Sequence, residues 1–188
     1  EERGCAGSRG FTARPDAYVE LHIEQGPRLL RADAPLGVVT AIVGYVRGLR
    51  TFEGTPGHAG TTPMDAREDA LVEAAEFVLH AREVAQGIEG AVATVGQVTV
   101  EPGGTNVIPG RVTVSVDARA PDAERLDRLA APREIEEPIR TEPSPMSEEI
   151  RAGLRADIEA LGLPVLELPS GAGHDAGILA SAGIASGM

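Results

Sequence analysis

Apolar residues recur along the chain with two different periods, and the switches between them predict its elements. Tyr18-Val19-Glu20-Leu21-His22-Ile23-Glu24 alternates, which predicts a strand end running into the turn Gln25-Gly26-Pro27. On such a strand Glu20, His22 and Glu24 share one face, while Val19, Leu21 and Ile23 face the other. Val38 to Val46 is a β-branched run, and Arg47 to Phe52 continues as strand. From Asp65 to Val84 the period turns helical, with Ala70, Leu71, Ala74, Ala75, Val78 and Leu79 as the apolar stripe. Thr62 is placed to cap that helix, Pro63 suits its first turn, and Gly87 and Gly90 end it. Val92 to Val100 reads as strand, Pro102-Gly103-Gly104 as a turn, and Val112 to Ala118 as an alternating strand. A short helix over Ala123 to Ala131, started by Pro121-Asp122, and an edge strand over Glu134 to Arg140 follow.

Strand, helix, two strands, helix, strand is the split βαββαβ pattern of a ferredoxin-like domain, one four-stranded sheet backed by two helices. After it, Pro143 and Pro145 favour an extended crossing. Ser147 then caps a helix from Glu148 to about Leu161, with Ile150, Leu154, Ile158 and Leu161 on one side. Gly162 ends it, Val165 to Leu168 forms a short strand, and the turn Ser170-Gly171-Ala172-Gly173-His174-Asp175-Ala176 opens into the apolar segment 177–182. Residues 1–16 are polar and Gly-rich without a period. The chain thus divides into residues 1–45, an inserted unit over 46–142, and residues 143–188: an α/β fold carrying an α+β insert.

Composition narrows the class. The 188 residues are 42% hydrophobic but only 3% aromatic, without Trp, so the core must be packed with Val, Leu, Ile and Ala. A net charge of -12 argues against nucleic acid, whose phosphates need a basic stripe, and against anionic membrane surfaces. No apolar run approaches the roughly 20 residues of a membrane span. A lone Cys5 cannot form an internal disulfide, and Glu1-Glu2-Arg3-Gly4 has no signal-peptide pattern, so a cytoplasmic location is expected.

Four segments carry candidate chemistry, each with a plain structural alternative. His22 between Glu20 and Glu24 suits a metal ligand with a carboxylate to orient its ring, or simply a solvated polar face. Gly57-His58-Ala59-Gly60-Thr61-Thr62-Pro63-Met64, followed by Arg67, Asp69 and Ala70, displays one imidazole on a Gly-flanked turn. Gly104-Thr105-Asn106-Val107-Ile108-Pro109-Gly110 precedes a strand ending Asp117-Ala118-Arg119. Asn106 can read a carboxylate oxygen or an N–H, or can merely make a turn. The Arg119 fork matches a carboxylate bidentately, or pairs with Asp117 or with solvent. In the last segment, glycines leave backbone N–H groups free to face an anion, while His174 and Asp175 are able to fix the loop by bonding each other.

In this order, HIEQGP, GHAGTTPM with R-x-D-A, NVIPG with D-x-R, and SGAGHDA resemble the amidase/hydantoinase/carbamoylase branch of the M20 metallopeptidase-like superfamily. The resemblance covers about Tyr18 to the end. It implies an α/β metallohydrolase catalytic domain, to which residues 1–45 and 143–188 belong in part. Residues 46–142 become a ferredoxin-like lid that builds a homodimer. It also implies two divalent metal ions, Zn or Mn with Co or Ni as further options, and a Glu general base. Only His22 matches a metal-ligand position. No H-x-D segment occurs, Glu1-Glu2 lies too close to His22 to serve as the family's Glu-Glu pair, and the chain is expected to be part of a longer protein.

By the same resemblance His58 donates to the oxyanion and contacts substrate. Asn106 and Arg119 bind substrate, and Gly173 and His174 lie beside it. His58, Asn106 and Arg119 reach the metals on domain closure or from the partner subunit. Gln25 reads as a turn residue. Tyr45 stands where Gln is expected in many allantoate-type members, and Leu126 to Pro138 is shorter than the family's second lid helix. The expected activity is hydrolysis of a linear carbamoyl or ureido C–N bond, foremost in N-carbamoyl-L-amino acids. Allantoate and β-ureidopropionate are rival substrates, and a non-catalytic dimerisation module is the alternative of another class.

Overall fold

The computed structural model describes residues 15–131 and 134–188. Glu1, Glu2, Arg3, Gly4 and Cys5, which entered the sequence argument, lie outside them. The first elements are β1 (Ala17–Val19), α1 (Arg28–Arg31), β2 (Gly37–Ile42), β3 (Gly44–Glu53) and β4 (Gly57–His58). Next come α2 (Ala70–Gln86), β5 (Val92–Thr94), β6 (Val98–Glu101), β7 (Val107–Ile108), β8 (Arg111–Ala120) and α3 (Ala123–Ala130). The chain continues through β9 (Glu136–Thr141), β10 (Ser144–Pro145), α4 (Glu148–Ala160), β11 (Leu166–Ser170), α5 (Asp175–Ser181) and β12 (Ala185–Gly187).

The long strands β3 and β8 organise the middle of the molecule. They pair antiparallel from Gly44↔Ala120 to Glu53↔Arg111. β9 flanks β3, and β5 and β6 share the far edge of β8, all antiparallel. Strict alternation in β8 sorts its side chains. Val112, Val114, Val116, Ala118 and Ala120 are buried, while Thr113, Ser115, Asp117 and Arg119 occupy the opposite face. Phe52, Ala70, Ala74 and Phe77 close over the first three, and Val46, Ala85, Ile88, Leu126 and Leu129 over the last two. Alanines along the sheet-facing side of α2 let it lie close to the strands.

The outer segments build a smaller α/β layer. β2 runs between antiparallel β10 and parallel β11, and β1 pairs parallel with β12. Val39, Ile42, Met146 and Ala176 form its core. Among the described residues no helix is long and apolar enough to cross a membrane.

Several expectations are corrected. Thr62 and Pro63 do not open the long helix. They lead into a single 3₁₀ turn, Met64–Ala66, and α2 starts at Ala70 with Asp69 accepting from the Leu71 N–H. Its buried stripe is Ala70, Ala74, Phe77, Ala81 and Ala85, whereas Leu79 is 65% exposed: close helix–sheet packing selects small residues over leucines. The 18–24 segment leaves the sheet after Val19. Its far side is then uncovered among the described residues, with Leu21 89% and Ile23 75% exposed. Val92 to Val100 is two strands rather than one, and the strand expected over Glu134 to Arg140 spans Glu136–Thr141. By contrast, Asp122 and Ser147 cap α3 and α4 through their side chains, at the positions the sequence indicates.

Leu126 is fully buried between α3 and the sheet. Leu126→Ala is expected to cost about 2–5 kcal/mol, from lost transfer energy plus the cavity left behind. A urea denaturation midpoint unmoved by the change would contradict that packing.

Candidate active site

Where β1 ends, the backbone carries Glu20 and His22 toward the loop between β11 and α5, which brings His174. Ligand atoms of Glu20, His22 and His174 lie within 4.8 Å of one another. The two imidazoles meet edge to face, with ring centroids 4.6 Å apart. Each group is held from behind. Glu20 Oε2 accepts from the Ala176 N–H in the first turn of α5, at 2.9 Å. His174, 5% exposed, has Nδ1 3.6 Å from Glu20 Oε1 and Nε2 2.8 Å from Ser170 Oγ. His22 Nδ1 lies 2.7 Å from the Ile23 carbonyl, which only accepts, so Nδ1 carries the proton and Nε2 keeps its lone pair.

Two imidazoles and a carboxylate suit a first-row divalent cation. Tetrahedral ligands at about 2.1 Å from one ion stand roughly 3.4 Å apart. The Glu20–His174 separation of 3.6 Å is close to that, while the group as a whole spans up to 4.8 Å. Glu24, which the sequence puts on the same face, is used elsewhere: its carboxylate accepts from the Arg28 and Leu29 N–H groups and starts α1. Gln25 makes the turn between them with φ 56°.

Glu20, His22, Arg119, Ser170 and Gly171 all line one cleft of about 490 Å³. Arg119 comes to it from the open face of the long sheet. Its Nε and Nη2 donate to the two oxygens of Asp117 at 2.8 Å each, and its Nη1 donates to the Gly171 carbonyl at 2.6 Å. The Asp117 partnership is thus real, yet it leaves two of the five guanidinium N–H groups, one on each terminal nitrogen. Hydrogen bonding to Asp117 raises the Arg119 pKa further above its ordinary value, so it stays a cation. An added Cβ at Gly171 or Gly173 would meet nothing within 4 Å. Packing therefore does not demand glycine there, and the loop backbone is open to approach. His174 takes Ser170 and Glu20 as partners rather than its neighbour Asp175.

His58 and Asn106 do not line this cleft. His58 lies in β4, paired with Val107, and Asn106 just precedes β7, its carbonyl accepting from the Ala59 N–H. Arg67 braces the loop by donating to the Ala59 and Thr62 carbonyls, which explains its place in the motif. His58 Nδ1 accepts from the Gly60 N–H at 3.0 Å, so the neutral ring carries its proton on exposed Nε2. Of the six residues singled out in the sequence, His22 and Arg119 line the cleft, His174 packs against His22 from the loop that carries Gly173, and His58 and Asn106 lie apart from it at β4 and β7. Sequence reasoning put Glu20 on the same face as His22 through the E-x-H alternation, but it did not join His174 to them, since no local signal links residues so far apart.

A family model described as peptidase family M20/M25/M40 matches residues 1–188. The chain is 40% identical over 181 residues to the N-carbamoyl-L-amino-acid amidohydrolase of Paenarthrobacter aurescens, covering 87% of this chain and 44% of that protein. It is 37% identical over 179 residues to the allantoate amidohydrolase of Bacillus subtilis (strain 168), covering 85% and 43%. A solved hydantoinase/carbamoylase family amidase from Burkholderia ambifaria matches with a TM-score of 0.84 at 32% identity, over 94% of this chain and 47% of that one. The chain therefore spans a little under half the length of the curated relatives it matches.

Glu20→Gln and His22→Ala are each expected to weaken zinc or manganese binding by about 100-fold, since each removes a charged or lone-pair donor. Equilibrium dialysis measures it; unaltered affinity in both variants would remove the pair from the ligand set.

Proposed function

The chain belongs to peptidase family M20/M25/M40, and from that premise we propose that its protein is a metal-dependent amidohydrolase cleaving a linear carbamoyl or ureido C–N bond. N-carbamoyl-L-amino acids are the foremost substrates, giving the free amino acid, carbon dioxide and ammonia on addition of water. The observation that carries this reading is the shared cleft: Glu20 and His22, two of the three metal-suited groups, and a guanidinium with unused donors line one cavity of about 490 Å³.

Two nitrogens deactivate the carbonyl of a ureido group. A bound divalent ion supplies what the reaction then needs, a water of lowered pKa and a polarised carbonyl. Glu20 and His22 hold such an ion, with two ions, Zn or Mn foremost, in the complete protein. His174 fixes the wall beside them through Ser170 and Glu20. Arg119 binds the substrate carboxylate through its remaining N–H groups, while Gly173 offers open backbone next to it. His58 donates its Nε2 proton to the developing oxyanion, and Asn106, its neighbour, orients a carboxylate oxygen or a ureido N–H. Because that pair lies off the cleft, it is assigned to the cleft of a second subunit or to a closed lid.

The strand order β5-β8-β3-β9 with α2 and α3 on one face supports reading residues 46–142 as a ferredoxin-like lid. Residues 1–45 and 143–188 then belong to the catalytic domain. The lid would carry a homodimer contact, in a cytoplasmic enzyme. Tyr45 lies opposite Arg119 in the sheet register and favours a carbamoyl amino acid over allantoate. Allantoate remains the second reading, on the similarity to an allantoate amidohydrolase.

In the complete protein, chelation should abolish ammonia release from an N-carbamoyl-L-amino acid. A metal-free dimer without turnover would instead establish the non-catalytic module. Arg119→Ala is expected to raise KM about 100-fold with bound metal unchanged. An unaffected KM would end the carboxylate role.

A further inference from the structure

The open face of the long sheet carries four side chains in a square. Register puts Arg47 directly across from Asp117 and Tyr45 across from Arg119, and the D-x-R spacing brings Asp117 and Arg119 to the same face. Asp117 receives Arg119 Nε and Nη2 on its two oxygens and Arg47 Nε on the second, all at 2.8 Å. The Arg47 guanidinium also lies over the Tyr45 ring, 4.2 Å from its centroid. Arg119 and Gly171 border both the cleft that holds His22 and a neighbouring groove, which Arg47 and Asp117 line.

We propose that Asp117 is a positioning residue, which aims the Arg119 fork at the substrate carboxylate while Arg47 keeps the site cationic. The inference rests on the assignment of Arg119 as the carboxylate-binding group. A lone carboxylate facing a lone arginine would cancel the charge that the substrate must find. Here two guanidinium groups share one carboxylate, and one positive charge is left over within a chain of net charge -12. Bidentate bonding to Asp117 also removes the rotamer freedom that Arg119 would otherwise lose on gripping its ligand. The Arg119 hydrogen bonds hold the Asp117 carboxyl below the ordinary carboxylate range, against the opposing push of burial, and Arg47 adds to the depression. The carboxylate therefore persists into mild acid.

The test uses the full-length protein with N-carbamoyl-L-methionine and its carboxamide, which lacks the anionic end. Asp117→Asn is expected to raise KM for the acid about tenfold or more, with kcat nearly unchanged and the carboxamide unaffected. Asp117→Glu should recover part of the loss, and Arg47→Gln should raise KM for the acid alone. An unchanged KM for the acid in Asp117→Asn overturns the proposal. So does a parallel loss on both substrates with a lowered melting temperature, which marks a merely structural role. If Asp117→Asn does not fold, Arg47→Gln decides: equal effects on acid and carboxamide overturn the proposal. Wild-type protein that fails to discriminate acid from carboxamide refutes the Arg119 assignment itself, and this inference falls with it.

Discussion

One arginine ties the two layers of this molecule together at the place where chemistry is proposed. Arg119 leaves the open face of β8, is held flat by Asp117, and reaches the Gly171 carbonyl in the loop that delivers His174. A charge-assisted bond to a backbone carbonyl is directional, so it fixes distance and angle as well as proximity. It also sits on the rim of the cleft, where a ligand can reach the N–H groups that remain. Arg119 thus links the sheet to the loop that carries His174 through an interaction that also borders the cleft.

Around that tie, each functional side chain is held by something not itself reactive. Glu20 is anchored by a helix N–H, His174 by a serine hydroxyl, and His22 by a carbonyl that settles its tautomer. His58 is settled the opposite way, by a backbone N–H on Nδ1. One imidazole is left with a free lone pair and another with a free proton, the two states that ligation and oxyanion donation require. The family to which the chain belongs includes proteins named as N-carbamoyl-L-amino-acid and allantoate amidohydrolases.

Much of the fold could be read before any coordinates. The alternation of β8, the caps Asp122 and Ser147, and the order of strands and helices between residues 44 and 141 follow from period and turn chemistry. What misled was choice among equally good local signals. Thr62-Pro63 and Asp69 are both adequate helix starts. The helix uses Asp69, and Arg67 holds the Thr62 carbonyl in the preceding loop. Likewise the leucines of α2 look like its core stripe, but a helix laid tightly on a sheet buries alanines and leaves the leucines outside.

The sequence by itself determined residue chemistry and spacing: which side chains have the donors or lone pairs for ligation, donation or anion binding, and which pairs two apart share a face, because those depend only on covalent structure and local period. Tertiary structure decided partnership. It made Glu20 and His174, separated by most of the chain, neighbours of one another. It gave Asp117 to two arginines at once, and it took Glu24 away to start a helix. Contacts of that kind arise from register and loop closure across long separations, which no local pattern of residues encodes.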